Sequence, residues 1–178
     1  MIKIKFAFFF FLASFLYSDN PDQYLTDKIN QQFSSPLSRD FFQQVTYLGD
    51  GRTVLILSSS LTLLPDSNLN NLGKLSLTGY ALSGITTNLI KVTVNRTRPN
   101  QGGYSFPSGH TSTAFCCAYI ISRHYPQWTI PSYSIAGAVG VSRIALNQHY
   151  LGDVLGGVLI GVISGWIVEK YSDIIISL

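Results

Sequence analysis

The sequence predicts an all-α fold: a bundle of about five core helices, embedded in a membrane and preceded by a signal peptide. Three observations carry that prediction. The apolar–polar alternation of half-buried strands is scarce along the chain. Five apolar stretches, at about 52–64, 73–94, 110–122, 131–147 and 151–168, are separated by breaks rich in proline and glycine. Charged residues are 12% of the chain, about half of the roughly 25% usual in soluble domains.

The elements follow in order. Residues 1–18, MIKIKFAFFFFLASFLYS, open with two lysines and continue into an apolar run from Phe6 to about Tyr17. That run is shorter than the roughly 20 residues of a spanning helix and fits the core of an export signal cleaved after Ser18. Residues 19–40 are polar and broken by Pro21 and Pro36, so they read as a lead-in with one short amphipathic helix. Residues 41–178 form the helical domain. Its boundaries are Pro65-Asp66-Ser67-Asn68, Arg98-Pro99-Asn100 with Gly102-Gly103, Pro126 with Pro131, and Gly152.

Span length decides between a membrane bundle and a soluble one. The last stretch, LGDVLGGVLIGVISGWIV, is the strongest span, with one acid near its start and Trp166 and Glu169-Lys170 at its exit. Serine, threonine and asparagine dot the 73–94 stretch, and such small polar residues pack spanning helices together. Alternating the spans from an outer N-terminus puts Arg123 and Lys170 inside, as positive-inside bias expects.

Composition also excludes. A net charge of +3 and the lack of a basic face interleaved with aromatics argue against a nucleic-acid partner. Cys116 and Cys117 are adjacent, strained for a disulfide and too close for a usual metal-ligand set, so they read as small core residues.

Three segments carry chemistry. KVTVNRTRP supplies Lys91 and Arg98; PSGH spans Pro107 to His110; SRIALNQHYLGD contains Arg143, His149 and Asp153. His149 and Asp153, four apart, share a face on a helical turn, where the carboxylate can fix one imidazole nitrogen and free the other to attack. Taken alone, that pair is more often a helix cap or a satisfied core pair. Gly109 lets backbone approach a bound anion at a helix start, and His110 beside it can protonate a leaving oxygen. Lys91, Arg98 and Arg143 are fixed cations suited to phosphoryl oxygens. Arg96 and Arg123 match no partner and read as flanking charges, and His124 reads as an ordinary loop residue.

Together, the order and spacing of these segments resemble the type 2 phosphatidic acid phosphatase superfamily, which includes bacterial acid phosphatases and vanadium haloperoxidases. The signature Lys-x6-Arg-Pro, Pro-Ser-Gly-His, Ser-Arg-x5-His-x3-Asp is matched at every fixed position, and YLGDG at 47–51 looks like the lead into the family's helical core. The resemblance implies that His149 attacks phosphorus and forms a phosphohistidine, with Asp153 holding its imidazole. His110 would serve the leaving alkoxide and then the attacking water. Lys91, Arg98, Arg143, the Ser108 hydroxyl and the Gly109 amide would cradle the phosphoryl oxygens. The resemblance further implies no metal or other cofactor and a phosphorylated lipid as substrate. The export signal, the apolar helices and the intact site point to a place in the bacterial inner membrane with the site facing the periplasm. A soluble periplasmic acid phosphatase is the alternative. A haloperoxidase, for which the chain is short, and a non-enzymatic scaffold or transporter are further rivals.

Overall fold

A computed structural model describes residues 19–177, all of whose regular elements are helical. The expected export signal, residues 1–18, lies outside the described residues. Eight α-helices follow: α1 Asp19–Gln32, α2 Pro36–Thr46, α3 Gly51–Thr62, α4 Ser67–Val94, α5 Gly109–His124, α6 Thr129–Ala145, α7 Leu151–Lys170 and α8 Ser172–Ser177. The five expected stretches are α3 to α7.

The helix starts follow from local chemistry. Ser35 caps α2 by accepting from the Ser38 amide, with Pro36 in the first turn. Asp50 caps α3 through the Arg52 amide, and Asp66 caps α4 through the Leu69 amide at 2.9 Å. Hence α4 begins several residues before its apolar run: the cap, rather than hydrophobicity, sets the start. Asn95, left-handed at φ 49°, ends α4 and reverses the chain.

Helix α5 is the axis of the bundle, packed by α4, α6 and α7. Leu72, Leu75, Cys116, Ile120 and Val168 join α4, α5 and α7; Ala114, Ala118, Ala136 and Val139 join α5 and α6. Cys116 is therefore a core residue, as its apolar setting suggested. The α5–α7 seam is built on Gly157, Gly161 and Gly165, spaced by four. A Cβ on Gly157 would stand 2.6 Å from the Ser108 carbonyl oxygen, and one on Gly161 would run into the Ser112 carbonyl and the Phe115 Cβ. The seam holds two backbones together, and α5 carries His110 while α7 carries Asp153. A Gly161→Leu variant is accordingly expected to lose about 3 kcal/mol or more of stability, read as an earlier thermal unfolding transition in detergent.

The expectation for residues 19–40 needs correction. The segment forms two helices, and α1 packs on α6 and α7 with a polar face turned inward. Asp22, Thr26 and Asn30 repeat every four residues along it. The Asp22 carboxylate accepts the Gly152 amide (2.8 Å), and Thr26 Oγ1 accepts the Leu151 amide (3.0 Å). The Asn30 amide donates to the carbonyls of Ile144 and Ala145. These side chains satisfy the free backbone groups where α6 ends and α7 begins. The polar face of α1 serves two helix ends.

At the opposite end His124 is also corrected. It is the last residue of α5, and its Nε2 lies 3.0 Å from Glu169 Oε1.

Candidate active site

The site gathers where α5 and α7 begin and where α4 and α6 end. Lys91, in the last turn of α4, donates from Nζ to the carbonyls of Tyr104 (2.7 Å) and Ser105 (3.2 Å), which ties down the loop after α4. Within that loop the Arg98 amide donates to the Gly102 carbonyl (2.8 Å), and Arg98 Nη1 reaches Gln148 Oε1 at 3.3 Å. Arg143, near the end of α6, donates from Nη1 to Thr46 Oγ1 at 2.6 Å. Its carbonyl accepts the amides of Gln148 and His149, and Asn147 turns at φ 57°. This tight turn presents His149 one residue before Tyr150 and α7.

His149 is 2% exposed and Asp153 fully buried. His149 Nδ1 stands 3.4 Å from Asp153 Oδ2, an ion-pair separation longer than a well-aligned hydrogen bond. Nδ1 has no other partner, so the geometry assigns the ring proton to Nδ1 and leaves Nε2 unprotonated, with a free lone pair. Burial lowers the His149 pKa from 6.5 to about 4; Asp153 opposes the shift, and the positive charge of Lys91 and Arg143 adds to it.

His110 sits in the first turn of α5 with its ring 28% exposed, Nε2 3.7 Å from Asp50 Oδ2. It lies within electrostatic reach of Arg143, Arg98 and His149. Gly109 is the first residue of α5, and its amide belongs to the unpaired helix start. Ser108 is fully buried; its amide donates to the Asp153 carbonyl, and its Oγ accepts from Thr111 Oγ1. Its own hydroxyl proton can still be donated.

The charge balance is the main feature. Among the described residues, neither Lys91, Arg98 nor Arg143 has a carboxylate within ion-pair distance. The Nε atoms of Arg98 and Arg143 are buried without a hydrogen-bond partner. Arg143 is buried and Lys91 and Arg98 partly so; cations that face only neutral oxygens suit an anionic ligand with several acceptors. No group of three or more His, Cys, Asp or Glu among the described residues is placed to hold a metal ion.

The eight site residues read from the sequence come together at this end of the bundle, joined by residues that the motifs did not single out. Gly49 and Asp50, from YLGDG, press on His110: a Cβ on Gly49 would stand 2.9 Å from the His110 carbonyl oxygen. Ser105 donates its hydroxyl to Asp153 Oδ2, which also accepts the Tyr150 amide at 2.9 Å. Arg96, expected to be a flanking charge, is instead 15% exposed and ion-paired to both Asp22 and Asp153. Spacing could not show this, since its partners lie 74 and 57 residues away.

Residues 73–174 match the profile of the PAP2 superfamily, the type 2 phosphatidic acid phosphatases. The chain belongs to that superfamily. A PAP2 relative, the lipid A 1-phosphatase of Porphyromonas gingivalis, is 38% identical over 102 residues, 54% of this chain and 23% of its own length. Phosphatidylglycerophosphatase B of Bacillus subtilis is 31% identical over 118 residues, 57% of this chain and 58% of its own. The chain thus spans less than two thirds of the length of these relatives. Among solved PAP2 structures, Aquifex aeolicus LpxE superposes with a TM-score of 0.75 at 28% identity, over 84% of this chain and 95% of that one. A transmembrane PAP2 type phosphatidylglycerolphosphate phosphatase from Bacillus subtilis superposes at 0.71 and 23% identity, which supports the fold.

Proposed function

We propose that this chain is a phosphatase of the bacterial cell envelope that hydrolyses phosphate monoesters or pyrophosphates of membrane lipids through a phosphohistidine. The observation that carries the proposal is three cations without carboxylate partners beside two histidines and a helix start. In the first step His149 Nε2 forms a bond to phosphorus as the bond to the lipid oxygen breaks, and His110 gives that oxygen its proton. In the second, His110 takes a proton from water, whose oxygen displaces His149 and releases phosphate. Asp153 balances the positive charge that His149 gains when phosphorylated. Lys91, Arg98 and Arg143 match charge on the equatorial oxygens, with the Gly109 amide and Ser108 hydroxyl as further donors.

Three features favour a lipid substrate over a small soluble ester. Among the described residues one helix, α7, is long and apolar enough to cross a membrane on its own. Large apolar side chains point outward along the bundle, including Ile85, Leu89 and Val92 on α4 and Leu155, Ile163 and Trp166 on α7. An apolar cavity of about 460 Å³ runs between α3 and α6 from Leu48, near the site, to Trp128. Relatives are named as lipid A phosphatases, phosphatidylglycerophosphatase and undecaprenyl-diphosphatase, names that share a phosphorylated lipid. We orient the site towards the periplasm, as an exported N-terminus followed by alternating spans would place it, with Arg123 and Lys170 at the other end of the bundle.

The test is a phosphate-release panel on detergent-extracted protein, with lipid A 1-phosphate, phosphatidylglycerol phosphate, phosphatidic acid, undecaprenyl diphosphate and p-nitrophenyl phosphate. At least one lipid should exceed the soluble ester in kcat/KM; release from none of the lipids would refute the proposal. The pH profile adds a second check. His149 must be neutral to attack, so activity should persist well below pH 6.5 and fall only as the pH drops through about 4. An acid limb near 6.5 would contradict a nucleophile in this buried setting.

A further inference from the structure

We propose that Arg96 and Asp22 are positioning residues for phosphoryl transfer. With Asp153 they form a buried carboxylate–guanidinium–carboxylate chain that aims the carboxylate behind His149 and sets its net charge. The inference rests on the phosphatase reading above and extends it to α1, a helix outside the matched family segment.

The geometry is specific. Arg96 Nη1 donates to Asp153 Oδ1 at 2.8 Å and Nη2 to Asp22 Oδ2 at 2.7 Å. The guanidinium lies 4.0 Å from the centroid of the Tyr150 ring, the residue between His149 and α7. Asp22 and Asp153 are fully buried. Gly152 permits the approach, since a Cβ there would stand 2.9 Å from Asp22 Oδ2. A planar guanidinium with one nitrogen on each carboxylate fixes both in direction, which a lysine cannot do.

The charge arithmetic supplies the reason for the third member. Asp153 with Arg96 alone would be a neutral pair, and a phosphorylated His149 would face no net counter-charge from it. Asp22 restores one negative charge to the chain. That charge acts against the positive groups facing His149 from the other elements: Lys91 on α4, Arg98 in the loop, Arg143 on α6, and His110 on α5 when protonated. In a buried site such a balance is felt strongly.

The experiment uses the full-length protein with Arg96→Gln, Arg96→Lys, Asp22→Asn and the Asp22→Asn/Arg96→Gln double variant. Asp22→Asn keeps an oxygen for the Gly152 amide and so spares the helix cap, while it removes the charge and turns its NH₂ towards Arg96 Nη2, breaking that bond. Arg96→Gln is expected to lower kcat about 10- to 100-fold with KM little changed, the usual cost of losing the partner that orients a catalytic group. Arg96→Lys should not restore the rate, and Asp22→Asn should add little on the Arg96→Gln background. The second readout needs no substrate: ring ¹⁵N NMR titration of His149, assigned with His110 and His124 variants. Its midpoint should move up in Arg96→Gln and down in Asp22→Asn. Unmoved midpoints, or both moving the same way, would overturn the chain even in an active enzyme. Wild-type protein that releases no phosphate from any lipid would refute the phosphatase reading, and the titrations would still judge the chain.

Discussion

The His149→Ala variant is expected to lose turnover by about 10⁴-fold or more, because it removes the proposed nucleophile. Labelling with ³²P substrate followed by an alkaline quench, which preserves a phosphorus–nitrogen bond, should show phosphoenzyme in the wild type and none in this variant. The fold should survive the change. Asp153 keeps its contacts from Ser105, the Tyr150 amide and Arg96, and His149 belongs to a turn whose backbone is held by the Arg143 carbonyl. His110→Ala is expected to differ in kind. It leaves the nucleophile intact, so label should still form while turnover is poor. Phosphoenzyme accumulating in His149→Ala would show that another atom attacks phosphorus.

Asp153→Asn should slow kcat by about 10³- to 10⁴-fold, comparable to losing the carboxylate of a catalytic triad. The substitution removes the charge that, in the proposed mechanism, balances a phosphorylated imidazole. It also forces a choice of rotamer. The carboxylate now accepts from Arg96 at one oxygen and from Ser105 and the Tyr150 amide at the other. An asparagine has one acceptor, so its NH₂ must face a donor on one side or the other. The outcome is read from steady-state kinetics, with thermal unfolding in detergent to confirm that folded protein was assayed. Activity within about tenfold of wild type would mean that the carboxylate is not needed to steady the imidazolium.

Several features were legible along the chain because they are local. The five core helices follow from apolar runs with proline and glycine between them, and α7 was the clearest of these. The start of α4 is set by the Asp66 cap and not by the apolar run, so hydrophobicity along the chain does not mark it. The inward polar face of α1 was also written in the sequence, as Asp22, Thr26 and Asn30 at a spacing of four. Polarity is ambiguous without its partner: the same stripe can face water or cover the ends of neighbouring helices.

Arg96 and Arg98 illustrate the limit more sharply. They lie two residues apart in the same loop, yet one is neutralised by two carboxylates and the other faces only a neutral glutamine side chain. Nothing in their local sequence distinguishes a charge held in a structural pair from one left available to an anion.

By itself the sequence determined which residue types carry the chemistry, the all-helical class and the order of the helices, since spacing and periodicity are properties of short segments. Tertiary structure alone decided which charges cancel and which stay free, and how α1 and the Asp50 turn close around two histidines. That outcome depends on contacts across 57 to 130 residues of chain, where pairing is fixed by helix packing.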